Sequence, residues 1–168
     1  IGSTGDDGVN LIDISFTGAN PLYNAYADDA RGEIVVDEAT GRVYLATCTR
    51  SASGFPLSPS GFVTTFGGAT QMGAVVCLDT TLSSLVFGTL MGSPNAGALS
   101  ACYSMKVNSL GRPIVVGGTT SGGGFVGGAG VQPAFGGGTA DGFVAILAPG
   151  GNALENYTYV GTNQYDQT

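Results

Sequence analysis

The chain repeats itself. Gly41-Arg42-Val43-Tyr44-Leu45-Ala46-Thr47-Cys48-Thr49 lines up with Gly111-Arg112-Pro113-Ile114-Val115-Val116-Gly117-Gly118-Thr119, seventy positions on, and Phe55 with Phe125 keeps that offset. Phe66-Gly67-Gly68 then matches Phe135-Gly136-Gly137, Gly73 matches Gly142, Leu85 matches Leu154 and Gly92 matches Gly161, all sixty-nine apart. So many matches in one order, with a single one-residue slip, mark a repeat architecture. In such chains each copy is one supersecondary unit that buries its apolar face against its neighbours.

Within each copy the local code is that of strands. Ile34 to Val36, then Asp37-Glu38-Ala39-Thr40-Gly41, then Val43 to Thr49 reads as a hairpin, and so does Ser104 to Val107, Asn108 to Gly111, Ile114 to Val116. Asp or Asn opens each turn, where its side chain can accept from nearby backbone N–H groups, and Gly closes it, where φ can be positive. A second hairpin follows in each copy: Ala74 to Leu78 with Leu85 to Leu90, and Phe143 to Leu147 with Leu154 to Val160. Ala74-Val75-Val76-Cys77-Leu78 is apolar at successive positions, which implies burial on both faces. Four short strands per copy, buried on both sides by stacked neighbours, predict an all-β protein of tandem four-stranded antiparallel blades, about two blades of a β-propeller. Two blades do not close a ring, which needs about 4–8, so the sequence reads as a segment of a longer protein.

Composition points the same way. The 168 residues hold 30 Gly and only 10% charged residues, with no His and no Trp. Gly and the β-branched residues disfavour helix. The net charge of −7, from 12 acidic and 5 basic residues, opposes nucleic acid, whose phosphates need clustered Lys and Arg. No apolar run approaches the roughly 18 residues of a membrane span. Cys48, Cys77 and Cys102 fit no metal-ligand spacing and suit small buried strand positions.

The boundaries fall at 1–31 (the end of a preceding blade plus an insertion), 32–92 (first blade), 93–161 (second blade) and 162–168 (the start of a next blade). Ile1 to Asp7 is comparable with Val160 to Asp166. Long links, Arg50 to Met72 and Thr120 to Asp141, separate the two hairpins of each copy. Their paired Phe55 and Phe125, and Phe66 and Phe135, suggest aromatic anchors holding the link to the sheet. The stretch Asn10 to Asp29 belongs to the first copy alone.

Gly2-Ser3-Thr4-Gly5-Asp6-Asp7, Val36-Asp37 through Thr47, Ser53-Gly54-Phe55-Pro56-Leu57, Gly136 through Leu147 and Tyr157 through Gly161 together resemble the bacterial beta-propeller repeat family often called SBBP. The resemblance covers nearly the whole chain outside Asn10 to Asp29. It departs from the family pattern at Arg112-Pro113 and at Gln71-Met72-Gly73-Ala74, where the second copy has Ala140-Asp141-Gly142-Phe143. The tail, Tyr159 to Thr168, is similar to repeats in large surface proteins of Bacteroidetes. What the resemblance implies is an exported protein of the outer cell surface, linked to adhesion or gliding and carried by the type IX secretion system.

Candidate chemistry is sparse. Without His, a nucleophilic triad has no base, and Ser104 with Lys106, on one face of a strand, suits a solvated strand better than catalysis. Asp6, Asp7, Asp28 and Asp29 could offer oxygens to Ca²⁺, but none lies in a D-x-D-x-D-G loop and turn capping or plain solvation suits them better. Gly122-Gly123-Gly124 is followed by no Lys-Ser/Thr and is no phosphate loop. Asn156-Tyr157-Thr158 matches an N-glycosylation pattern but falls on a strand. Asp79-Thr80-Thr81 resembles a short O-glycosylation signal and makes Thr80 a candidate acceptor in a turn. The expectation is therefore a non-catalytic module displaying loops to a protein or glycan partner, or to the secretion machinery as cargo, with no cofactor. The alternative is part of a propeller-fold carbohydrate-active enzyme whose catalytic residues lie in other blades.

Overall fold

The computed structural model describes residues 5, 7, 8, 32–125 and 128–166. Among these there is no helix and nine strands: β1 (Glu33–Val36), β2 (Val43–Thr49), β3 (Met72–Leu78), β4 (Leu85–Met91), β5 (Ser100–Val107), β6 (Pro113–Thr119), β7 (Gly128–Ala129), β8 (Asp141–Leu147) and β9 (Leu154–Val160). They form two sheets, β1-β2-β3-β4 and β5-β6-β8-β9-β7. The four principal strands of each sheet are antiparallel meanders, as the strand code predicts. One element was not legible: β7, inside the second link, pairs parallel with β9 through Gly128 opposite Asn156 and Ala129 opposite Tyr157.

The turns follow their sequences. Asp37 N donates to Arg42 O at 2.9 Å and Gly41 N to Asp37 O at 2.7 Å, while Asn108 N donates to Arg112 O at 3.1 Å and Gly111 N to Asn108 O at 2.9 Å. The opening side chain accepts in both: Asp37 Oδ1 from Ala39 N at 3.1 Å, Asn108 Oδ1 from Leu110 N at 2.9 Å. Gly41 and Gly111 close them at φ 69° and 71°, a left-handed conformation that a Cβ opposes. Even the irregularities coincide. The ladder shifts register between Cys77 and Leu78 in one sheet and between Ile146 and Leu147, their repeat equivalents, in the other.

The sheets stack face to face on one apolar core. Tyr44, Val75, Cys77, Phe87 and Met91 from the first sheet meet Met105, Val115, Phe143, Ala145 and Leu147 from the second. Fully burying each of the larger side chains contributes about 1.5–3 kcal/mol. The other face of the first sheet carries Met72, Ala74, Val76 and Leu90, and the link covers it with Phe55 and Phe66. Burial of β3 on both faces thus comes from a sheet on one side and the chain's own link on the other, where the apolar run alone suggested two neighbouring sheets. The second link uses the same device. Phe125 lies 4.8 Å from Phe143 and 5.7 Å from Tyr159, and Phe135 lies 6.0 Å from Tyr159.

The stacking is head to tail. Tyr44 and Ala46 of β2 are buried between the sheets, yet their equivalents Ile114 and Val116 are only half-buried on the outer face of the second sheet. Pro113 and Val115 are buried between the sheets, while their equivalents Val43 and Leu45 are half-exposed on the outer face of the first. The same inversion runs through the other strands: Phe87 is buried and Asn156 exposed, Leu154 is buried and Leu85 exposed. One face of the first unit therefore sits on the opposite face of the second, a heterologous contact that does not close on itself.

Candidate functional site

Two open faces result, one of each kind. On the first sheet Ile34 and Val36 of edge strand β1 are 68% and 56% exposed, and Leu85 of the opposite edge strand β4 is 37% exposed. On the second sheet a shallow groove is lined by Val131, Val144, Ile146, Asn156, Tyr157 and Thr158. Each face is the repeat counterpart of one that is buried between the sheets.

The contact between the sheets includes a charged tie. The Glu33 carboxylate of β1 accepts from the Ser104 hydroxyl and, at 2.8 Å, from the Met105 amide, both in β5. The Ser104 hydroxyl bond and the Met105 amide bond, with Lys106 nearby, hold this carboxyl below its ordinary range against a smaller opposing effect of burial. Ser104 is thus engaged by a carboxylate of the first sheet, and Lys106 is exposed.

The junctions between units repeat as well. Ser100 N donates to Gln71 O at 3.0 Å, and Asp166 N to Ala140 O at 2.8 Å. Parallel bridges Gln71–Leu99 and Ala140–Tyr165 accompany these bonds. Asp166 therefore stands where Ser100 stands. Asp7 makes the third member, because it pairs with Thr49 as Ser100 pairs with Thr119. The Asp7 carboxylate accepts from Thr49 Oγ1 at 2.5 Å and Ser51 Oγ at 3.2 Å, which ties it to the end of β2 more than forty residues away. Asp6, Asp28 and Asp29, together with the stretch Asn10 to Asp29, lie outside the described residues.

The carboxylate that sequence reading passed over is Asp141. It is fully buried at the start of β8, its Oδ2 accepts from Gly136 N, and its Oδ1 has no hydrogen-bond partner among the described residues. Burial pushes its carboxyl above the usual range, and the nearby Asp166 carboxylate adds to this against the Gly136 bond. The available signal was the departure between copies, Met72 in one and Asp141 in the other.

Thr80 is exposed in the β3–β4 turn, with its methyl group close to Gly41. Asp79 builds that turn by accepting from Ser83 N at 2.8 Å and Ser84 N at 3.2 Å. Asn156 is exposed on β9 and Thr158 Oγ1 accepts from Gln132 N at 2.9 Å. The three cysteines are unpaired and buried. Among the described residues no cluster of three or more His, Cys, Asp or Glu side chains could hold a metal ion, and no helix is long and apolar enough to cross a membrane. Comparison with protein-family models, with curated proteins and with solved structures returns no match to this chain.

Proposed function

We propose that the chain is a non-catalytic scaffold and interaction module: two consecutive blades of a propeller-type repeat array that displays its links and turns to a protein or glycan partner. The observation that carries this reading is the head-to-tail stacking, with the core-forming faces of the buried contact repeated on the two outer sides. A contact of this kind propagates until it closes a ring or meets a capping unit. The local resemblance to SBBP repeats extends the proposal to an exported protein of the outer cell surface, serving adhesion or gliding and carried by type IX secretion.

The test uses single-face variants in sedimentation velocity. Ile34→Arg with Val36→Arg closes one outer face, and Val144→Arg with Ile146→Arg closes the other. The unmodified chain is expected to associate open-endedly at concentrations near the ~1 mM that a short tether would supply. Each variant alone stays monomeric, and an equimolar mixture forms a one-to-one dimer through the two intact faces. A strictly monomeric unmodified chain at that concentration overturns the stacking reading. Turnover of a polysaccharide or peptide by the full-length protein, abolished by substitutions within these two sheets, overturns the non-catalytic one.

A further inference from the structure

The geometry points to a Ca²⁺ site between Asp141 and Asp166, at the junction where the second unit hands over to the strand that follows. Among the described residues Asp141 is fully buried with Oδ1 unpartnered, and the charged group acting on it is another carboxylate, Asp166. A buried carboxylate in that position is held by a cation or must keep a proton. Among the described residues no Lys or Arg acts on it as a counter-charge.

The corner is rich in oxygen. Asp166 Oδ2 accepts from Thr162 N at 2.6 Å and from Thr162 Oγ1 at 2.8 Å, which fixes its carboxylate just past the end of β9, while its own N bonds Ala140 O at the start of β8. The carbonyls of Gly161 and Thr162 turn toward Gly136, where a methyl group would lie 3.0 Å from each. Gly161 also leaves the room that Asp141 fills, because a Cβ there would stand 2.3 Å from Asp141 Oδ1. Two carboxylates and main-chain carbonyls, with water completing the shell, are the ligands a hard cation of flexible geometry takes.

The chain carries its own control. At the preceding junction the same two positions hold Met72 and Ser100, and the same bond, Ser100 N to Gln71 O, forms without either carboxylate. The strand junction does not require acids. Both are present at one junction and both absent at the other, as expected of two groups that share one ligand. This inference is independent of the scaffold reading, since a lone pair of sheets could bind the ion.

Isothermal titration of the chain with CaCl₂ tests it, with Tb³⁺ luminescence sensitised through Tyr159 and Tyr165 as a second readout. The expected affinity is about 10⁻⁴–10⁻³ M, the range of extracellular calcium modules. Saturating Ca²⁺ should raise the melting temperature by about 2–4 °C. Asp141→Asn and Asp166→Asn should each weaken binding at least tenfold. The double variant Asp141→Met, Asp166→Ser, which copies the first junction, should fold, give no terbium signal and melt at one temperature with or without Ca²⁺. Absence of binding heat, terbium signal and melting shift in the unmodified chain overturns the site. Binding that survives in the double variant overturns it equally.

Discussion

Ile34 and Met105 occupy the same position of successive sheets, Ile34 opposite Leu45 and Met105 opposite Val115, yet Ile34 is 68% exposed and Met105 only 1%. The difference comes from what lies against each, since both are large apolar side chains on a first strand. Met105→Ala should therefore cost about 2–5 kcal/mol by opening a cavity between the sheets. Ile34→Ala should stay within about 0.5 kcal/mol in the monomer. Urea denaturation of the two variants checks this, and equal costs would mean that the sheets are not stacked in this sense.

The tie from Glu33 to β5 predicts a pH dependence. A carboxyl held below its ordinary value of 4.5 binds fewer protons in the folded than in the unfolded chain. Its contribution is present above that value and lost as the pH falls through the lower folded value. Glu33→Gln should cost about 1–2 kcal/mol at pH 7 through its two charge-assisted bonds. The gap from the unmodified chain should close in acid, and a gap that is constant with pH would contradict the assignment. Asp141 has the opposite sign: its raised carboxyl favours the folded state in acid and opposes it as the pH rises, so the comparison is made between variants at each pH.

Leu82 stands in the β3–β4 turn at φ 59° where the second unit has Gly151 at φ 67°. The turn bonds match, Leu82 N to Asp79 O and Gly151 N to Ala148 O. A side chain in the left-handed region costs about 1–2 kcal/mol, and glycine returns part of that through the flexibility of the unfolded chain. Leu82 is 61% exposed and loses little burial. Leu82→Gly should stabilise by about 0.5–1 kcal/mol in chemical denaturation. The reverse change, Gly151→Leu, should be severe, because a Cβ there would lie 2.2 Å from the Phe87 ring.

Burial raises the thiols of Cys102, Cys48 and Cys77, with Cys48 pushed up to about 12. Since the thiolate is the reactive form, iodoacetamide at neutral pH should leave the folded chain unlabelled. After denaturation it should label all three, and mass spectrometry distinguishes the two. Rapid labelling of Cys48 in native conditions would show that the first sheet opens locally.

What was legible in the sequence was whatever the repeat states twice. The two hairpins, their Asp37 and Asn108 turns and the aromatic anchors Phe55 and Phe125 all appear where the paired residues place them. The face on which each sheet stacks was not legible, because Tyr44 and Ile114 are equally apolar and only the neighbour decides which is covered. β7 was missed because Gly128 and Ala129 carry no strand preference. Asp141 was missed for a related reason: its meaning lies in Gly136, Gly161 and Asp166, which meet only when the β9 end folds back.

The ladder beside β5 slips by one residue, with Cys102 opposite Gly117, Ser104 opposite Val116, and Tyr103 left over. In the first unit the corresponding strand is split at that same rung. Gly8 N bonds Cys48 O, and Glu33 faces Ala46. Residues 9–31 thus enter where the second unit already tolerates one surplus residue. A position that absorbs length without shifting the pairing on either side is a natural splice point. In the second unit that surplus residue, Tyr103, is buried, so a longer insertion after Cys102 should displace its ring and lower stability.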